Sequence, residues 1–290
     1  MSMERPEECE FLKEAWNVRC KCNMVEFPSY FRKLNKEYEP RGCLIAHTVL
    51  TLLETLNIEH RILNVILRVF KAIRESEKVN PLNVLYVTIL LHDIGKVDRG
   101  YRRFRKPWHN VISAWIAKKI LEKMLPEPIA STSALSIFLH HEAYHWMELA
   151  NEPLIDILTL PKPIRAEVYP SDVNRFLNLI VKNCCSIGND VCRVARSLAE
   201  KAMVVCDYGD KIPSDFISEM YSKIRVRRGL SARAKLRPIT VLYRILHLVD
   251  CRAASAREGK DKYWACTYNT WLSRSLIPEK QISICRKQRI

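Results

Sequence analysis

Apolar residues recur every three to four positions from Leu44 to Leu56 and again from Ile58 to Ile73, up to a break at Asn80-Pro81. Each run predicts a helix. Leu82 to Leu91 is apolar on every side, too hydrophobic for a surface helix, and predicts a central buried helix that stops at Gly95 in the manner of a glycine C-cap. Pro107 opens a further helical run to Leu125, the Pro126-Glu127-Pro128 break ends it, and Ser131 to Trp146 follows. The proline-rich stretch from Asn151 to Pro170 has little periodicity and reads as a loop or lid. Helical spacing returns at Asp172–Lys182, Asp190–Cys206 and Ser214–Ile224, with a long final helix from Ile239 to about Glu258. Residues 1–40 are mixed in pattern, with one short helix around Pro6 to Val18.

These elements predict an all-α bundle. Its expected organisation is one domain over 44–258 with a helical and loop insertion at about 151–238. An extension over 1–43 packs on the core, and a basic segment over 259–290 follows. Composition agrees: 48% of the 290 residues are apolar, enough for a substantial core. Only 7 are glycine, which leaves few β-turn signals.

Charge adds a partner class. Lysine and arginine number 47 against 32 acids, a formal charge of +15, which points to a polyanion. No apolar run approaches a membrane span, and the opening Met-Ser-Met-Glu-Arg-Pro carries no apolar core, so the expectation is a soluble, cytoplasmic protein without a membrane partner. The 11 cysteines follow no zinc spacing, Cys9, Cys20, Cys22 and Cys43 included. Glutamine occurs only at Gln281 and Gln288 among abundant charges, a thermophilic bias that would permit an intracellular disulfide at one member of Cys184-Cys185.

The chemistry centres on Leu90-Leu91-His92-Asp93-Ile94-Gly95-Lys96. A carboxylate buried at a helix end costs several kcal/mol, roughly, unless a cation or a hydrogen-bond network answers it. Other histidines fall in or beside apolar helical runs: His47 between Ile45-Ala46 and Val49-Leu50, His109 after Pro107, and His140-His141 after Ile137-Phe138-Leu139. On the final helix Leu242, Leu246, Val249 and Ala253 form the apolar stripe, and Asp250, four residues after Leu246, points inward with them. Each histidine alone reads as a core residue; five together with an acid pair read as a metal site. His60, His145 and His247 fall outside the series and read as structural.

The ordered series His47, His92-Asp93, His109, His140-His141, Asp250 resembles the HD phosphohydrolase superfamily in its extended form, and the adjacent His140-His141 most closely resembles the HD nuclease of type I CRISPR interference systems. The resemblance spans about Leu44 to Glu258, and Lys96 matches the lysine of the HDxGK motif. It implies two divalent metal ions, one held by His47, His92, Asp93 and Asp250 and the other by Asp93, His109, His140 and His141, with Asp93 bridging and Lys96 at the reacting phosphate. Imidazole-rich ligation favours Mn, Ni, Co or Fe over Mg. The chain has no phosphate-binding P-loop, so the resemblance implies a standalone, archaeal type of nuclease for antiviral defence. Such a nuclease cuts DNA, preferably single-stranded, beside a separate CRISPR helicase and an RNA-guided surveillance complex. A rival reading is a phosphohydrolase acting on nucleotides or cyclic nucleotides.

Two basic stretches are the expected nucleic-acid contacts. Arg99, Arg102, Arg103, Arg105 and Lys106 follow the HD motif with aromatic residues between them. The second stretch, expected as a mobile loop around Gly229, carries Arg225, Arg227, Arg228, Arg233, Lys235 and Arg237.

Overall fold

The computed structural model describes residues 27–34, 37–73, 75–104, 108–140, 164–224 and 230–258. Two strands, β1 (Pro28–Leu34) and β2 (Glu37–Cys43), pair antiparallel with Pro28 opposite Cys43 and Leu34 opposite Glu37. Nothing in the apolar pattern of residues 1–43 pointed to this hairpin. Gly42, at φ 64°, supplies the left-handed residue that turns the chain out of β2. Cys43 then caps α1 (Leu44–Phe70), its sulfur accepting from the Ala46 amide at 3.5 Å. Cys43 is disulfide-bonded.

The two helices expected over Leu44–Leu56 and Ile58–Ile73 are one helix of 27 residues. No proline or glycine interrupts it, and the stripe shifts because burial narrows along its length. Its first turns are enclosed on all sides. There Thr48, Thr51 and Thr55 return their hydroxyls to the carbonyls of Leu44, His47 and Thr51 at 2.8–2.9 Å, which satisfies them without a partner helix.

Helix α2 (Pro81–Leu91) starts as expected, with Asn80 accepting from the Leu82 amide at 2.9 Å and Pro81 in the first turn. It is buried from Val84 onward. It ends at Leu91, and a tight helical turn over Ile94–Val97 follows. Gly95 therefore does not cap it; a side chain there would meet the backbone of the next long helix. Short α3 (Arg99–Phe104) leads to α4 (His109–Leu121) and α5 (Glu127–Phe138). The Pro126-Glu127-Pro128 break thus opens α5 rather than merely ending α4, since proline suits a first turn.

Beyond residue 163 the expected lid ends in β3 (Ile164–Arg165), which pairs with β4 (Lys211–Ile212). Between them run α6 (Pro170–Ile187) and α7 (Asn189–Met203), joined by the Cys185–Cys192 disulfide. Cys185 is thus the bridged member of its pair. Cys184 lies buried in the core, which pushes its thiol up to about 12. After α8 (Ser214–Ile224) comes α9 (Leu230–Glu258), with Pro238 inside it. The second basic stretch is therefore helical from Leu230, not loop throughout. One apolar core runs from Phe27 through α1, α2, α4 and α5 to α6, α7, α8 and α9. Among the described residues the sheets are two-stranded and open, and no helix is long and apolar enough to cross a membrane.

Candidate metal centre

Five helices and the turns that follow them deliver the candidate ligands. His47 stands in the enclosed first turns of α1, His92 and Asp93 follow α2, and Asp250 comes from α9; all four are buried. A clamp fixes α9 against α1: Arg252 Nε forms an ion pair with Glu54 Oε2 at 2.7 Å, and burial, only partly offset by Arg252, raises the Glu54 pKa. His109 is the first residue of α4, and His140 follows the end of α5.

The carboxylate of Asp93 faces two ways. Its Oδ2 lies 3.4 Å from His47 Nε2 and 3.5 Å from His92 Nε2, while its Oδ1 lies 3.6 Å from His109 Nε2 and 3.5 Å from His140 Nε2. Asp250 Oδ1 joins the first group, 2.8 Å from His47 Nε2 and 3.6 Å from His92 Nε2. Two ligand-like groups result, His47, His92, Asp93 and Asp250, and Asp93, His109 and His140. All four imidazoles present Nε2 to the acids.

The ring orientations are set from behind. His92 Nδ1 lies 2.7 Å from the Ile89 carbonyl and His140 Nδ1 lies 2.5 Å from the Ile137 carbonyl. A carbonyl only accepts, so both Nδ1 atoms carry hydrogen, and each neutral ring turns its Nε2 lone pair toward the carboxylates. Lone pairs facing anions at about this distance need a cation or a proton between them. Lys96, itself buried, donates to Asp93 Oδ2 at 2.7 Å and offsets one of the two negative charges. The donor set therefore fits a bound divalent cation, and these buried groups can hold one.

Electrostatics agree in sign. Burial opposes charge on His92, yet Asp93 and Asp250 outweigh it and raise its pKa; burial likewise opposes ionised Asp250, yet His47 and His92 hold its carboxyl well below the usual range.

Gly95 lets the second group form. A Cβ there would stand 2.2 Å from the His109 carbonyl oxygen and 2.6 Å from the Ser113 amide nitrogen, so only glycine allows α4 this close. Its own amide donates to Ser113 Oγ at 2.8 Å.

The first basic stretch is partly committed elsewhere. Arg99 Nε and Arg102 Nη2 both bind Asp172 Oδ2, at 3.1 and 2.6 Å, and Arg99 also covers the Tyr169 ring at 4.0 Å. Arg103 is exposed, with Glu167 Oε2 4.0 Å away. Asp98 caps α3 through the Tyr101 amide at 2.5 Å and also accepts from the Glu167 amide. In the second stretch Arg237 is exposed on α9, and Arg233 and Lys235 lie in its first turns. Cys9, Cys20, Cys22, His141, Arg105, Lys106, Arg225, Arg227, Arg228 and the Pro6–Val18 helix lie outside the described residues.

A helical scaffold that gathers four imidazoles, three of them buried and His109 half-buried, around two buried acids, with a His-Asp dipeptide at its centre, is consistent with a metal site of the HD kind. No family model matches the chain, and no curated protein does. Among solved structures, it is similar to the CRISPR-associated Cas3 HD domain protein from Methanocaldococcus jannaschii, with 22% identity over 71% of this chain and 95% of that one, at a TM-score of 0.38.

Proposed function

We propose that this protein is a metal-dependent nuclease that hydrolyses DNA phosphodiester bonds. The observation that carries the reading is the division of Asp93, whose two oxygens face separate imidazole groups. His47, His92, Asp93 and Asp250 would hold one ion and Asp93, His109, His140 and His141 a second. When bound, two such cations supply Lewis acidity and a water of lowered pKa for in-line attack on phosphorus. The chain's own contribution is positional. Backbone carbonyls fix the His92 and His140 rings, Lys96 holds the shared carboxylate and adds positive charge beside the reacting phosphate, and the apolar core excludes bulk water.

A formal charge of +15 supports a polyanionic substrate, and Arg103 and Arg237 are exposed to meet it. The preference for single strands, and action in CRISPR interference beside a separate helicase and a guide complex, rest on the residue series and its resemblance. A second reading, hydrolysis of nucleotides or cyclic nucleotides, gains from one observation: Asp172 already occupies Arg99 and Arg102, leaving fewer cations beside the site than the sequence suggests. Metal analysis of purified protein, coupled to cleavage of labelled single- and double-stranded DNA and to mononucleotide hydrolysis, separates the readings. Metal-dependent DNA cleavage is expected; turnover of mononucleotides without DNA cleavage would replace the first reading by the second.

A further inference from the structure

The end of α5 is held by side chains from two other helices. The last carbonyls of a helix lack partners within it. Here Asn110 Nδ2, on α4 beside His109, donates to the Phe138 carbonyl at 2.8 Å. His247 Nδ1, on α9, bonds the His140 carbonyl at 3.2 Å and must carry the hydrogen, because the carbonyl only accepts. The other face of that imidazole meets Cys251, whose sulfur lies 3.6 Å from Nε2, and the Tyr243 ring stacks on it at 5.8 Å. Asn110 and His247 are both buried.

The sequence positions make this more than capping. His247 precedes Asp250 by three residues, so one face of α9 carries both. Asp250 belongs to the first group, whereas His247 grips the backbone of a histidine in the second. Asn110 is chain neighbour to His109, the other imidazole of that second group. Displacing either cap frees the turn bearing His140, whose ring is in turn aimed by its bond to Ile137.

We propose that His247 and Asn110 are positioning residues for the second metal, fixing His140 through its backbone and tying the two groups together through α9. The inference rests on the reading that Asp93, His109 and His140 hold an ion. It differs from a packing role in what it requires of residue 247, which is a hydrogen-bond donor at the Nδ1 position rather than an aromatic ring.

Two substitutions separate these. His247→Asn keeps a donor near Nδ1 and loses the ring; His247→Phe keeps the ring and its stack on Tyr243 and loses the donor. Binding of Mn²⁺ and Co²⁺ to the full-length chain is followed calorimetrically, with the Co²⁺ absorption spectrum reporting coordination. The phenylalanine variant should bind one of two ions about tenfold more weakly, with an altered Co²⁺ spectrum, and the asparagine variant should stay close to wild type. Asn110→Ala should weaken the same ion and spare the other, which keeps the test independent of whether the His247 variants fold. Equal or tighter binding by His247→Phe than by His247→Asn overturns the inference, as does an unchanged Asn110→Ala isotherm. Wild-type protein that takes up fewer than two ions refutes the two-ion reading instead, and the inference falls with it.

Discussion

Replacing Gly95 by alanine tests how the second group is assembled. The added methyl would sit 2.2 Å from the His109 carbonyl oxygen and 2.6 Å from the Ser113 amide nitrogen, where ordinary contact begins near 3.4 Å. Both nearest obstacles are backbone atoms of α4, so rotamer changes cannot relieve the clash. The start of α4 must retreat by about an ångström, against a tolerance of about 0.5 Å for a working constellation. Overpacking of this kind costs about 1–3 kcal/mol, and loss of the Gly95 amide bond to Ser113 adds about 1 kcal/mol. For a domain of this size the melting temperature should fall by roughly 5–15 °C. His109 moves with the helix, so one equivalent of metal should be lost at limiting concentration while the first group still fills. Gly188→Ala is the control, because its φ of 176° is ordinary extended backbone and a Cβ there meets nothing within 4 Å. Differential scanning calorimetry with elemental analysis of dialysed protein reads both effects. A Gly95→Ala protein melting within about a degree of wild type, with full metal content, would refute this account of the motif's glycine.

Asp93→Ala removes the one carboxylate that faces both groups and should abolish cleavage while helical circular dichroism persists; more than about a tenth of wild-type activity would sink the shared-ligand assignment. Asp250→Asn keeps the shape and drops the anion, so metal affinity should fall and excess Mn²⁺ should partly restore the rate; unchanged metal content would mark a structural hydrogen bond. In metal-free protein the raised His92 pKa stabilises below about 6.5 and is lost as pH rises through the folded value, whereas depressed Asp250 stabilises above about 3.9 and is lost as pH falls. Metal needs His92 neutral, so the rise in melting temperature on adding Mn²⁺ should grow between about pH 5 and pH 8; a flat increment would remove His92 from the ligands. Arg102→Ala should destabilise by about 1–2 kcal/mol through Asp172, while Arg103→Ala should leave stability alone and flatten the salt dependence of single-strand binding by roughly 0.7 in log–log slope per phosphate lost. The reverse pattern in melting and binding assays would exchange their roles.

Helical class and the central α2, buried from Val84 onward, follow from the chain alone, because an apolar run of that density has nowhere to sit but a core. His47, His92, Asp93, His109, His140 and Asp250 also stand out one by one in the sequence, since polar residues within apolar periodicity must be answered by something; His141 lies outside the described residues. What the sequence could not contain is which atoms meet. The two-sided use of Asp93 depends on where α1, α4, α5 and α9 converge, and that convergence is set by long-range packing. Gly95 looked like a helix cap because caps are the local role of glycine; its actual role, close approach to α4, is invisible until the neighbour is placed. Arg99 and Arg102 looked free because Asp172 lies some seventy residues away. His247 falls outside the ligand series in sequence, although it stands three residues before Asp250, one turn along the same face. Spacing offered that hint, but only the tertiary structure, by bringing the end of α5 against α9, shows what the imidazole holds.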